Sequence, residues 1–130
     1  MTQSASILVV DDDHDIREIL KFILEAHDYH VDVASDGMDA WKLLSDGNRP
    51  GLILLDLMMP RMDGEQFLKK LRSSPFAAIP VVILSGNSSA REKARDLDAK
   101  CCLMKPVEFE ELLDTVKHFM PGQWRKSDVA

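Results

Sequence analysis

At four places in this chain an apolar block runs straight into a polar side chain of a chemically useful kind. ILVV (7 to 10) leads into Asp11-Asp12-Asp13, LILL (52 to 55) into Asp56, VVIL (81 to 84) into Ser85-Gly86-Asn87, and CCLM (101 to 104) into Lys105-Pro106. A carboxylate set on a run so ready for burial is expensive to desolvate unless something pairs with it or uses it. If Asp11, Asp12 and Asp56 converge, their charges repel, and ionising all of them calls for a cation. Oxygen ligands on a partly open site suit Mg²⁺, which keeps several waters and favours one or two carboxylates with phosphate oxygens. A carboxylate beside such a metal, a lysine and a hydroxyl has the parts of a phosphoryl-transfer site: a nucleophile, charge neutralisation and donors for the transferred oxygens. Asp56 fits the nucleophile, with Lys105 and Ser85 beside it.

These residues meet only if the fold brings the ends of the blocks together. The blocks are continuous instead of alternating, which suits strands covered on both faces of a parallel sheet. VDVA (31 to 34) is a weaker strand candidate, nearer an edge. Between the blocks lie helical patterns. Ile16, Ile19, Leu20, Ile23 and Leu24 give one apolar face to a helix opening near Asp13 to Asp15. Ala40, Leu43 and Leu44 mark a second helix after Asp36-Gly37, and Phe67, Leu68 and Leu71 a third. Ser88 to Leu97 carries a thin stripe of Ala90, Ala94 and Leu97, so that helix should pack weakly. Phe109, Leu112, Leu113 and Val116 mark the last helix, which Pro121-Gly122 should end. Alternation of this kind predicts an α/β doubly wound five-stranded parallel sheet, flavodoxin-like with order 2-1-3-4-5, and five helices. In that order the first and third strands are neighbours where the strand order reverses. Asp11, Asp12 and Asp56 then share one crevice, with Ser85 and Lys105 on its other side.

Composition narrows the classes. The 130 residues suit one domain, and 45% hydrophobic with 29% charged residues argues against disorder. We divide the chain into an extension (1–6), a domain (7–120) and a tail or linker stub (121–130). A net charge of -6 disfavours direct nucleic-acid binding. No apolar run reaches the length of a membrane helix and the first residues lack a secretory signal, so the expectation is a cytoplasmic protein with no membrane partner. Cys101 and Cys102 are adjacent, which provides neither a loop-closing disulfide nor zinc spacing; they read as reduced, buried and inert. His14 reads as a solvated residue on a first helical turn, and His27, His30 and His118, without metal spacing, as surface or boundary residues. Trp41 reads as helix packing, and Trp124 equally as a tail folded back or a partner anchor.

LVVDDD, LLDLMMPRMDG, VVILSG and LMKP, in that order and near that spacing, resemble the receiver domains of bacterial two-component response regulators, over about Ile7 to Phe119. The resemblance implies a phosphorylation-dependent signalling switch that is not a turnover enzyme. Asp56 would accept a phosphoryl group from a sensor histidine kinase or histidine phosphotransfer protein. Asp12 would bind Mg²⁺ directly, Asp11 mainly through water, Asp56 by its carboxylate and Met58 by its backbone carbonyl. Ser85 would hydrogen-bond a phosphoryl oxygen, Lys105 would pair with the anion, and the Lys105-Pro106 bond would be cis. Phosphorylation would change a surface read by a downstream protein, and a homodimer is compatible with this.

The chain departs from the family pattern at several positions. Cys102 stands where the family usually has an aromatic residue that rotates on activation, which predicts weaker coupling to partners. Met58 and Asn87 occupy the places that influence the attacking water, and an apolar side chain cannot orient one, so the phosphoryl state should be long-lived. Asp98 replaces a common turn glycine, a position where Asp can adopt the left-handed conformation. Two other readings stay open: a receiver-like binding module that works without phosphate, and an aspartyl-phosphate phosphatase. The second usually needs a carboxylate where Met58 stands.

Overall fold

Each apolar block is a strand in the computed structural model, which describes residues 6–59, 62–86, 90–96 and 98–120. The strands are β1 (Ser6–Val10), β2 (His30–Ala34), β3 (Leu52–Asp56), β4 (Val81–Ser85) and β5 (Cys101–Met104). Between and after them come α1 (His14–Glu25), α2 (Gly37–Ser45), α3 (Gly64–Arg72), α4 (Ala90–Asp96) and α5 (Phe109–Phe119). All strand pairs are parallel and the order is β2-β1-β3-β4-β5, as the alternation predicts.

The unbroken hydrophobicity of β3 and β4 follows from burial at every position of both strands. Their alternate side chains feed two cores, because successive residues of a strand face opposite sides of the sheet. Ile7, Val9, Leu52, Leu54, Val82 and Leu84 pack with Leu20, Ile23 and Leu24 of α1 and Leu112 and Val116 of α5. Leu8, Val10, Ile53, Leu55, Val81 and Ile83 pack on the other face with α2, α3 and Ala94 of α4. The result is three layers.

Aspartates set the helix starts. The Asp13 side chain accepts from the amides of Asp15 and Ile16, Asp36 from Asp39, and Asp63 forms a reciprocal pair with Gln66. Such caps satisfy amides that the first turn leaves without partners. Asp98 adopts φ +60°, so the turn entering β5 is made without glycine.

Several sequence expectations shift. Ile19 is half exposed, because α1 packs through the narrower seam of Leu20, Ile23 and Leu24; Phe109 at the start of α5 is exposed too. β1 takes in Ser6, one residue inside the expected extension. Cys101 and Cys102 are half-buried instead of buried, since β5 is an edge strand, and they line a cavity of about 320 Å³ with Ala94, Arg95, Ala99 and Lys100. Trp41 packs as expected, edge-on against Phe76 at 5.6 Å between centroids. The four histidines are exposed. Asn87, Ser88, Leu97, Pro121-Gly122, Trp124 and the rest of the tail lie outside the described residues.

The turn from β3 into α3 brings backbone against backbone. A Cβ on Gly64 would collide with the Asp56 carbonyl oxygen and lie 2.7 Å from Leu57 Cα. No flexible side chain can yield there. Gly64→Ala should therefore lower the unfolding free energy by about 1–3 kcal/mol, whereas Gly86→Ala, with nothing within 4 Å, should stay within about 0.5 kcal/mol. Urea denaturation of the two variants checks this; equal effects would show that the close approach relaxes without strain.

Candidate functional site

The sheet register carries the polar residues to one edge. Val10 is level with Leu55, so Asp11 and Asp56 come next at the same height on neighbouring strands. Asp56 is level with Leu84, and Ser85 with Met104, which sets Ser85 and Lys105 one step further across. This is the carboxyl edge, at the point where the strand order reverses between β1 and β3.

One carboxylate oxygen from each of Asp11, Asp12 and Asp56 lies within 4.8 Å of the other two. Asp11 and Asp56 are buried, while Asp12 is exposed. Lys105 reaches in from the far side: its Nζ is 2.8 Å from Asp11 Oδ2 and 3.6 Å from Asp56 Oδ2. Asp11 is tied down further, its Oδ1 accepting from the Asp13 amide at 2.9 Å and its carbonyl from Arg17 Nη1 at 2.7 Å. Asp56 Oδ1 accepts from the Met58 amide at 3.2 Å. Among the described residues nothing donates a hydrogen bond to the Asp12 carboxylate.

The electrostatics follow from these contacts. Burial, reinforced by the negative charge of Asp11, pushes the Asp56 carboxyl up from 3.8 to about 6, against the pull of Lys105 and the Met58 amide. Burial opposes the charge on Lys105, but the hydrogen bond and charge of Asp11, with the charge of Asp56, outweigh it and hold the ammonium above its ordinary value. One lysine faces three carboxylates. The cluster is short of positive charge, its donors are hard oxygens, and one of them faces solvent, so the residues present fit Mg²⁺.

Asp11, Asp12, Asp56 and Lys105 are thus brought together. Ser85 is buried at the end of β4, and its carbonyl accepts from the Lys105 amide at 2.9 Å. The Met58 side chain points to solvent, 71% exposed. The Lys105-Pro106 bond is cis, and Cys102 sits level with Ile83 on β5. Gly64 stands out in the sequence only as the break that ends LLDLMMPRMDG, and its close approach to Asp56 does not. The reach of Arg17 back to Asp11 had no signal beyond its place on the first turn of α1.

A family model described as the response regulator receiver domain matches residues 7–117. Response regulator MprA of Mycobacterium sp. (strain KMS) is 42% identical over 109 residues, 82% of this chain and 46% of that protein. Response regulator Rre1 of Synechocystis sp. is 35% identical over 133 aligned residues, 99% of this chain and 57% of that protein. The chain spans about half the length of these curated relatives. Among solved structures, chemotaxis response regulator CheY4 of Vibrio cholerae superposes with a TM-score of 0.82 at 28% identity, covering 90% of this chain and 99% of that one. The receiver domain of a signal transduction histidine kinase from Syntrophus aciditrophicus gives 0.82 at 34% identity, covering 95% of each chain. With the match to residues 7–117 spanning most of its length, the chain belongs to the response regulator receiver domain family.

Proposed function

We propose that this protein is a phosphorylation-controlled switch in which Asp56 takes a phosphoryl group from a phosphohistidine on a sensor histidine kinase or histidine phosphotransfer protein. The observation that carries this reading is the Lys105 ammonium bridging Asp11 and Asp56 beside the exposed carboxylate of Asp12. The unit that acts is the domain of residues 7–120, in the cytoplasm with the kinase's phosphohistidine. Among the described residues no helix is long and apolar enough to cross a membrane.

In the reaction an Asp56 carboxylate oxygen attacks phosphorus. The phosphorus–nitrogen bond of the phosphohistidine breaks, the imidazole keeps the electron pair, and an acyl phosphate forms on Asp56. Lys105 stands ready to pair with the transferred oxygens, and Ser85, at the end of the adjacent strand, supplies a hydroxyl donor to them. Asp11, Asp12 and Asp56, with the Met58 carbonyl, would hold Mg²⁺. When bound, that ion supplies the positive charge that three carboxylates and a phosphoryl group require. The acyl phosphate then biases a conformational equilibrium read by a downstream protein. A mass measurement decides the first step: with Mg²⁺ and a small phosphodonor, the wild type should gain one phosphoryl group and Asp56→Asn none. No adduct on the wild type, or an undiminished one on the variant, overturns the assignment.

Hydrolysis needs an oriented water, and no polar group on Met58 can hold one. The phosphoryl group should therefore persist for minutes or longer after the donor is removed. Decay within seconds would count against this.

The raised Asp56 carboxyl also predicts a pH dependence. Above about 6 this group is ionised in both folded and unfolded chains, and the fold carries the full penalty of a buried charge. Below 3.8 it is neutral in both, and the penalty is gone. At about 1.4 kcal/mol for each tenfold change in proton affinity, the full penalty is on the order of 3 kcal/mol. With a chelator present, Asp56→Asn should thus be more stable than the wild type above that range, by on the order of 2–3 kcal/mol. The gain should shrink as the pH falls through 6 and nearly vanish by 3.8. Denaturation curves across pH test this, and a gain independent of pH would show that burial of the charge is not its source.

A further inference from the structure

The β1–α1 loop that carries Asp11 and Asp12 is held by a backbone bond to β2, by bonds within itself and by the helix it enters. The Asp11 amide donates to the Ala34 carbonyl at 3.1 Å, the Asp13 amide to Asp11 Oδ1 at 2.9 Å, and the Arg17 amide to the Asp13 carbonyl at 3.0 Å. Asp13 Oδ1 in turn accepts from Asp15 and Ile16 at 2.9 and 3.3 Å. One bond is of another kind: Arg17 Nη1 reaches back from α1 to the Asp11 carbonyl at 2.7 Å. Asp11 is fully buried, so bulk solvent does not supply a donor to that carbonyl and the Arg17 guanidinium does.

That carbonyl belongs to the peptide plane joining Asp11 to Asp12. A peptide unit is rigid, so holding its oxygen also fixes where the Asp12 nitrogen and Cα lie. Asp12 needs such help more than its neighbours do. The Asp11 and Asp56 carboxylates are each held by hydrogen bonds or the Lys105 ion pair, whereas that of Asp12 accepts none among the described residues. Its aim depends on the backbone beneath it.

We infer that Arg17 is a positioning residue for divalent-cation binding, fixing the Asp11–Asp12 peptide so that the Asp12 carboxylate meets those of Asp11 and Asp56. The inference rests on the Mg²⁺ site of the proposed function. It also has a competitor of opposite sign. A guanidinium beside the cluster repels a second cation, so if its charge were its whole effect, removing Arg17 would tighten Mg²⁺ binding. Loss of positioning weakens it.

The test is a calorimetric titration of Mg²⁺ alone into the whole chain, well below its melting temperature. Arg17→Ala should weaken affinity about tenfold, the scale seen when a partner behind a metal ligand is lost, and Arg17→Lys should restore part of it. In an Asp12→Asn background, Arg17→Ala should add little, because the carboxylate it positions is already gone. A role confined to stability would lower the melting temperature and leave these affinities unchanged. Should alanine prevent folding, Arg17→Met keeps the aliphatic stem without the donor and carries the same expectation. Equal or tighter binding by a folded variant, or full additivity with Asp12→Asn, overturns the inference and leaves the Mg²⁺ site standing. Failure of the wild type to bind Mg²⁺ overturns both.

Discussion

The site depends on a charge imbalance held in place by burial. Asp11 and Asp56 lie beneath the surface at the edge of the sheet, and Lys105 is the cation that bridges them. Removing charges from water is costly, and a single ammonium does not balance this cluster. The Asp56 carboxyl, pushed up to about 6, registers the shortfall. An ionisable group held so far from its ordinary value is poised to respond to added positive charge, whether a proton or a metal ion. Excess negative charge of this kind suits a hard divalent cation, which the proposed function places here. A neutral or well-paired site would be more stable and chemically idle.

Only a particular sheet can hold that imbalance. Asp11, Asp56, Ser85 and Lys105 stand at or just past the carboxyl ends of four strands, and no two of them are close in sequence. Parallel pairing puts every carboxyl end on the same side, and the register places Asp11 level with Asp56 and sets Ser85 and Lys105 one step further on. Shifting β3 by one residue against β1 would turn Asp56 to the opposite face of the sheet, and Leu54 and Leu55 would exchange cores. The two hydrophobic clusters thus do more than stabilise the chain. They fix the register, and the register fixes the spacing of the charges.

This accounts for what the sequence could reveal. The strands were legible because buried parallel strands are unbroken apolar runs, and the acidic and basic residues at their ends could be grouped once the strand order was assumed. The left-handed turn at Asp98 and the helix starts near Asp13 and after Asp36 were legible too, since local chemistry determines them. Tertiary detail was not. Ile19 fits the helical period and still faces solvent, because which apolar residues of α1 touch the sheet depends on the rotation of the docked helix. The half-exposure of the thiols follows from the edge position of β5, and a strand order alone does not say how well α4 covers that edge. Arg17 was invisible for a different reason: a side chain bonding to a backbone carbonyl leaves no pattern of residue types.

The uneven attachment of the helices bears on how a change at Asp56 could leave the site. α1, α3 and α5 each bury two or more large side chains in the cores, and α2 buries Leu44 with Ala40 and packs Trp41 and Leu43 against them, whereas among the described residues α4 buries Ala94. Its further tethers are at the surface or at its end. Lys93 meets Glu65 of α3 at 3.4 Å between exposed side chains, a contact that solvent and salt screen to little effect. Arg72 reaches the Asp98 carbonyl at 2.9 Å while also holding those of Ala77 and Ile79. Local opening follows the path with the fewest buried apolar contacts to lose, and here that path is α4. The helix packs against β5 and β4, the strands whose carboxyl ends carry Lys105 and Ser85, and the cavity beside Cys102 leaves space around it. Under the proposed phosphoryl transfer, a group that drew Ser85 and Lys105 toward Asp56 would act first on the element least able to resist.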